Sequence, residues 1–567
     1  MLDLDPMVDP HNNNNAPLTV CGSHIYTGRY GVQFKLRIRY YVATFCHSRD
    51  GGHHWVSRQI SAGNRPKFGH SYLVWTYTFF IRNGIPGPLS MPLVTTIKRS
   101  REASYRCDEK WIRKYGKVVG FISAFGPTLL ISDLKILRQI LGPDFKNFHN
   151  RPIGGFSRSK RLHSMLITLR DEKWKNMRSV ISPAFTSSKI RQMGAILNEC
   201  AEELLLKKVK QNVKENQPVE IRQLFGTYTI GCIASAGFGL QLNAQPDEGV
   251  TIDEFIKNAT EFFSRMKSKK WLLFETFGTF IPRFVKLYFD LDLVPQASEN
   301  FLYEMSEALL KKREEGAVQG HIVDFMQLLI NAHELEDDDV STGERSLSPG
   351  PGSKKTKLAM DDVVSQCVMF LLAGYETTLA CLVFTTYLLA IHPDIQDKVC
   401  AEIQEVLHEA EATRVTLDLA NKMPYLGMVI NESLRLYPPI TRLVRVCNRD
   451  TDVQGLHIKQ GTRIIAPLWA IQRDPDLWPD PLTFNPDRFS PESQGSTNMD
   501  AFLSFGVGPR ACLGTRFALM EVKIALVRLL AEFKIEVTKE TPATLELSKG
   551  LFLATSHPLP LKFVKRA

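Results

Sequence analysis

Cys512 has the neighbours that metal ligation would require, because Phe505-Gly506-Val507-Gly508-Pro509-Arg510-Ala511-Cys512-Leu513-Gly514 runs straight into a helical pattern through Glu521 and Leu530. A lone cysteine is most often a buried small hydrophobe, so the flanking residues carry the argument. Gly508 and Gly514 allow tight backbone geometry and close approach of a flat ligand. Arg510 fixes a cation two residues from the sulfur. The free N–H groups and the positive dipole end of the following helix favour the thiolate. A stable thiolate is a ligand for iron.

Three more spacings point to chemistry or to its support. Glu432 and Arg435 stand at i, i+3, which puts carboxylate and guanidinium on one helical face. Trp174 and Arg178 stand at i, i+4, so an indole N–H and a guanidinium can reach one ligand together. Ala373-Gly374-Tyr375-Glu376-Thr377-Thr378 interrupts an apolar helical segment with a glycine, an acid and two β-branched hydroxyl residues. Those types weaken a helix, so packing or chemistry must require them.

The elements that would position these residues are mostly helical. Residues 359–391 have helical composition, with Asp361 and Asp362 near the N-terminus, where carboxylates complement the dipole, and Pro393 at the end. At 1.5 Å per residue such a helix is about 50 Å long and runs through a whole domain. Apolar segments 117–121 and 128–131 read as strands, and the body as mainly α with small β-sheets. Residues 1–70, with an Asn run and Gly51-Gly52, sustain neither periodicity and read as a disordered leader. Residues 71–83 form a short apolar segment suited to membrane contact, since Tyr72 to Ile81 is half the length needed to cross a bilayer. Gly84-Ile85-Pro86-Gly87-Pro88 stops regular structure and opens the main body, residues 84–567. Within it, residues 333–357 read as a flexible polar insertion of charge followed by Pro, Gly and Ser.

Composition narrows the class. With 44% apolar and 23% charged residues the chain is a folded globular protein. Its ten cysteines lack paired short spacings, which argues against a zinc site or a disulfide framework and for a reducing compartment. The net charge of +10 includes +4 on residues 1–70 and forms no dense basic stripe, so nucleic acid is not the expected partner.

Phe505, Gly508, Arg510, Cys512 and Gly514 match the F-x-x-G-x-R-x-C-x-G signature, and here the chain resembles the cytochrome P450 family over about residues 84–565. Segments such as Ala373–Thr378, Arg442–Cys447 and Arg516–Met520 look like its family 3 drug and steroid monooxygenases, with thromboxane synthase a close relative. The resemblance implies haem b ligated through the Cys512 thiolate. It implies propionate partners at Trp174, Arg178, Arg445, Arg510 and Arg151. It implies a buried structural triad of Glu432, Arg435 and Arg488, the last in Phe484-Asn485-Pro486-Asp487-Arg488-Phe489, where Asp487 replaces the more usual Glu. Gly374 would leave room for dioxygen, and Glu376 and Thr377 would organise proton delivery for O–O cleavage, with the thiolate acting from the opposite face. Pocket walls would be Ala373, Thr377, Ile440, Thr441, Leu443, Leu551 and Phe552.

By the same resemblance, electrons would come from NADPH through NADPH-cytochrome P450 reductase, with cytochrome b5 as a further partner. The substrate would be a lipophilic steroid, fatty acid or xenobiotic, and the location the cytoplasmic face of the endoplasmic reticulum membrane. Aromatic and basic residues between Phe262 and Phe289 suit a membrane surface or a buried helix pair. An endoperoxide isomerase and a non-catalytic haem protein are the rival readings. Neither needs the distal pair Glu376 and Thr377.

Overall fold

The computed structural model describes residues 42–47, 53–58, 79–88, 102–123, 126–152, 160–239, 252–267, 294–314, 325–334, 359–495, 498–549 and 552–566. The chain divides into two units, Met1–Ser71 and Tyr72–Ala567. In the first, where sequence periodicity indicates no structure, Val42–His47 and His53–Arg58 pair antiparallel, with Val42 opposite Arg58 and His47 opposite His53. The missed signal was local. Gly51-Gly52 between two short runs containing β-branched and aromatic residues marks a hairpin, although neither run alternates for long.

The second unit is mainly helical with small sheets, as the sequence indicates. Its axis is the helix Met360–Ile391, with Asp361 and Asp362 in the first turn, and Pro393 opens the next helix, Pro393–Glu409. The axial helix is long and apolar enough to cross a membrane, yet most of it is buried inside the fold. A helix enclosed by protein along most of its length needs such a surface. It packs along Ile221–Phe238 and against Gln296–Glu314, Pro424–Leu436 and Thr515–Glu532.

Ile221–Phe238 starts where the Glu220 carboxylate accepts from the Arg222 and Gln223 backbone N–H groups, and it ends at Gly239 with φ +64°. A Cβ added to Gly374 would lie 2.5 Å from Ile233 Cδ1 on this helix. Gly374 therefore lets two core helices approach.

A four-stranded sheet runs in the order Val118–Ser123, Gly126–Ile131, Arg463–Ala466, Leu443–Val446, with its middle pair parallel and Arg445 opposite Ile464. Phe79–Arg82 is a short helix at the end of the expected membrane segment, and Phe80 is buried. A Cβ on Gly120 would meet Phe80 Cγ at 2.4 Å, so the ring fills a socket that only glycine leaves in the strand. For Phe80, packing replaces the expected membrane contact. Phe262 and Phe263, at the start of the aromatic and basic stretch, are likewise buried, and Phe263 packs edge-on against Phe552 with ring centroids 5.0 Å apart. Residues 72–78 and 268–293 lie outside the described residues, as does the polar insertion from 335 on, its first two residues closing the helix Phe325–Glu334.

Candidate active site

Cys512 lies in the turn before the helix Thr515–Glu532, and its backbone N–H donates to Phe505 O at 2.8 Å, closing the loop. Cys107, Cys200, Cys232, Cys367, Cys381, Cys400 and Cys447 are buried, whereas Cys512 is exposed. Gly508 has φ +72°, and a Cβ there would sit 2.0 Å from Leu141 O, so only glycine fits this turn. Gly506 is also left-handed, at φ +69°. Gly514 differs from the expectation. Its φ of −84° is ordinary and a Cβ would meet Phe185 at 3.7 Å, a normal contact, so its backbone geometry alone does not demand glycine.

Around this loop the fold gathers Arg151, Arg178, Arg445 and Arg510 from four separate segments. Arg178, on the helix Asp171–Ile181, donates through Nη2 to Ala511 O at 3.0 Å, one residue from Cys512. Arg510 is buried, donates to His149 O, Leu166 O and Leu169 O, and stacks over the Trp174 ring at 4.2 Å. Trp174 thus gives its face to Arg510, an arrangement that i, i+4 spacing with Arg178 does not reveal. Arg445 is 2% exposed and donates to Val444 O at 2.9 Å, but its Nε has no partner among the described residues.

These cations strain one another. Burial pushes Arg510 down to about 8, with repulsion from Arg151, Arg445 and Arg178 adding to it. Burial and Arg151 push Arg445 down to about 9. Burial and Arg178 push Arg151 down to about 10, partly offset by Cys512. A guanidinium stays protonated in proteins, so the depression reflects first the cost of burying these cations and second the repulsion among Arg151, Arg445 and Arg510. A ligand with two negative charges relieves that cost.

On the axial helix every residue from Val363 to Ala390 is buried except Ala373, Gly374 and Thr377. Ala373 and Thr377, at i and i+4, share a face, so one window opens in an otherwise enclosed helix, with Gly374 at its edge. Thr377 Oγ1 donates to Ala373 O at 2.7 Å. Glu376 is fully buried and accepts from Arg222 Nη2 at 3.1 Å. Arg222 was not legible as a site residue, since it stands 154 positions away in sequence and only the crossing of two helices brings it there.

Ile440, Leu443 and Phe552 are half-buried, and Ile440 bridges Phe552 across an isolated β-pair. Thr441, also expected among the pocket walls, is 2% exposed. Its neighbour Arg442 turns into the core instead, where Nε meets Asp108 at 2.7 Å. Leu551 lies outside the described residues.

Glu432, Arg435 and Arg488 meet in the core. Arg435 donates to Glu432 through Nε at 2.6 Å and Nη2 at 2.8 Å, and Arg488 Nε approaches Glu432 Oε1 at 3.3 Å. Asn485 N also donates to Glu432 at 3.0 Å. Arg435 Nη1 reaches Gln472 O and Pro481 O. Asp487 is exposed, so the exchange of Glu for Asp leaves the triad untouched.

An exposed thiol in a glycine-shaped turn, four crowded guanidiniums and a window in a buried helix together define a haem-thiolate protein. The chain matches the family model for Cytochrome P450 over residues 85–563. It is 36% identical over 518 residues to cytochrome P450 3A13 of Mus musculus, covering 87% of this chain and 94% of that protein. It is 35% identical over 499 residues to cytochrome P450 3A6 of Oryctolagus cuniculus, covering 87% and 93%. Identity to cytochrome P450 3A9 of Rattus norvegicus is 35% over 511 residues, covering 87% and 94%. The chain belongs to the cytochrome P450 family and is a haem monooxygenase.

The residues present fit haem. Its two carboxylates suit the crowded guanidiniums and the unpartnered Arg445 Nε, and its iron suits a thiolate.

Proposed function

We propose that this enzyme inserts one oxygen atom of dioxygen into a lipophilic steroid, fatty acid or xenobiotic, taking electrons from NADPH through NADPH-cytochrome P450 reductase, with cytochrome b5 as a further donor. The observation that carries this reading is the window at Ala373, Gly374 and Thr377, with the buried Glu376 beside it. Bound at Cys512, haem iron supplies the activation of dioxygen.

The chain's own groups do the rest. Cys512 ligates the iron and the helix behind it steadies the negative sulfur. Arg445, Arg178 and Arg151 hold the propionates, while Arg510, committed to three carbonyls and the Trp174 face, fixes the geometry of the cluster. Phe505, Gly508 and Gly514 shape the loop. Thr377 presents its hydroxyl at the window to hold and pass a proton, and Glu376, tied to Arg222, supplies charge behind it. Glu432, Arg435 and Arg488 lock the core that carries the loop. Ala373, Ile440, Leu443 and Phe552 enclose the apolar substrate, and Phe263 packs against Phe552. Such walls exclude water and orient a C–H bond through shape. We place the enzyme on the cytoplasmic face of the endoplasmic reticulum membrane, and membrane flotation of the full chain checks this.

The deciding experiment is the absorbance of the dithionite-reduced protein under carbon monoxide, followed by NADPH and oxygen consumption with added reductase and a lipophilic probe. A strongly red-shifted Soret band with reductase-dependent product is expected. The same band without NADPH-dependent turnover overturns monooxygenation of such substrates in favour of isomerisation or a non-catalytic haem protein.

A further inference from the structure

We propose that a cavity on the outer side of the Cys512 loop binds a free fatty carboxylate, separately from the substrate site. The cavity has a volume of about 480 Å³, within the roughly 300–1,000 Å³ typical of small-molecule sites. One wall is the helix Leu134–Leu141 and the other is the segment from Met499 to Gly508 that leads into Cys512.

The lining is amphipathic in an ordered way. Leu134, Val507 and Met499 present the apolar floor, backed by the buried Leu137, Leu141 and Leu503. Lys135 and Arg138, three residues apart on one helix face, stand exposed at the rim. The acids nearby are already engaged. Asp133 caps the helix by accepting from Lys135 N and Ile136 N, Asp144 accepts from Gln139 Nε2 at 3.0 Å, and Asp500 pairs with Arg138 at 2.9 Å. Lys135 has no ion pair among the described residues. An apolar floor with a surplus cation at its mouth suits an alkyl chain ending in a carboxylate. A neutral lipid leaves the ammonium unpaired, and a compact anion leaves the floor uncovered.

The two walls touch at their base. A Cβ on Gly508 would lie 2.0 Å from Leu141 O, and Ala511 N donates to Gly508 O at 2.9 Å. An occupant bridging the helix and this turn therefore bears on the backbone that carries Cys512.

The test uses the haem-loaded full chain with its iron capped by a tight azole, which fills the substrate side, and dansyl-undecanoate as a fluorescent probe below its micelle concentration. Saturable binding is expected that survives the azole and is displaced by dodecanoate but not by dodecanol. The double substitution Lys135→Gln, Arg138→Gln should weaken it by about tenfold or more, the scale of one lost charge-assisted hydrogen bond. Met499→Trp, which narrows the mouth, should weaken it further while the carbon monoxide spectrum stays unchanged. If Met499→Trp fails to fold, the double variant and slowed hydrogen exchange of residues 134–143 on dodecanoate binding decide the matter. Displacement of the probe by the azole, equal competition by dodecanol, or unchanged affinity in the double variant each overturns the proposal. So does a double variant that loses only reductase binding, which would make the rim a protein-docking surface.

Discussion

Two arginine clusters in this molecule have opposite characters. Around Glu432 the guanidiniums of Arg435 and Arg488 converge on a carboxylate, and the spare N–H groups of Arg435 meet backbone carbonyls. Around Cys512 the guanidiniums of Arg151, Arg178, Arg445 and Arg510 converge on one another, and Asp171, which steadies Arg510, is a weak counterweight. In the first cluster a carboxylate and backbone carbonyls within the chain meet both guanidiniums, so its purpose is the fold. The second is incomplete, and what completes it must come from outside. Crowded like charges without local compensation thus mark a ligand site more reliably than arginine content does.

The largest expected effect tests the second cluster at its centre. Cys512→Ser should abolish the red-shifted carbon monoxide band altogether while leaving the helix content by circular dichroism intact, since Cys512 is exposed. A retained band would remove Cys512 as the ligand.

Next, Glu432→Gln should lower the stability of the protein by roughly 3–5 kcal/mol, because two buried guanidiniums lose their carboxylate. Urea unfolding of the apoprotein measures this, and an unchanged midpoint would break the contrast between the clusters. Arg445→Met should do the reverse. The apoprotein should be as stable as the parent or more so, since a buried, repelled cation is removed, whereas haem should be lost about 10 to 100 times faster to an apomyoglobin trap. A loss of apoprotein stability matching that of Glu432→Gln would show both clusters to be structural.

A smaller effect concerns a buried charge of a third kind. Glu521 is fully buried on the helix that follows Cys512, neither carboxylate oxygen has a hydrogen-bond partner among the described residues, and burial raises its pKa well above 4.5. The folded state keeps the proton while the unfolded chain releases it above about pH 4.5, so stability falls as pH rises past that value, by about 1.4 kcal/mol per unit until the folded group ionises. Glu521→Gln should flatten this slope between pH 5 and 7. Melting temperatures of both proteins at the two pH values check it, and parallel slopes would remove Glu521 as its source.

Much of this was legible in order along the chain. The Cys512 loop, the window motif, the axial helix and the two short strands before residue 132 are local patterns, because turns, caps and periodicity act over a few residues. Gly508 was read rightly as a tight turn, since a left-handed backbone is a local demand. The packing partner of Gly374, Ile233, was not legible, because it lies on another helix. The same holds for Phe80 in its Gly120 socket and for Thr441 beside the buried Arg442–Asp108 pair.

What the sequence determined by itself was the chemistry available: a cysteine placed to be a thiolate, a helix able to span the fold, and arginines in recognisable spacings. What the tertiary structure decided was which charges are compensated. Glu432 gathers Arg435 and Arg488, Arg222 reaches Glu376, and four other arginines are pressed together around Cys512. Compensation depends on distance in space and on burial, and both are set by how helices cross rather than by the residues that neighbour each charge in the chain.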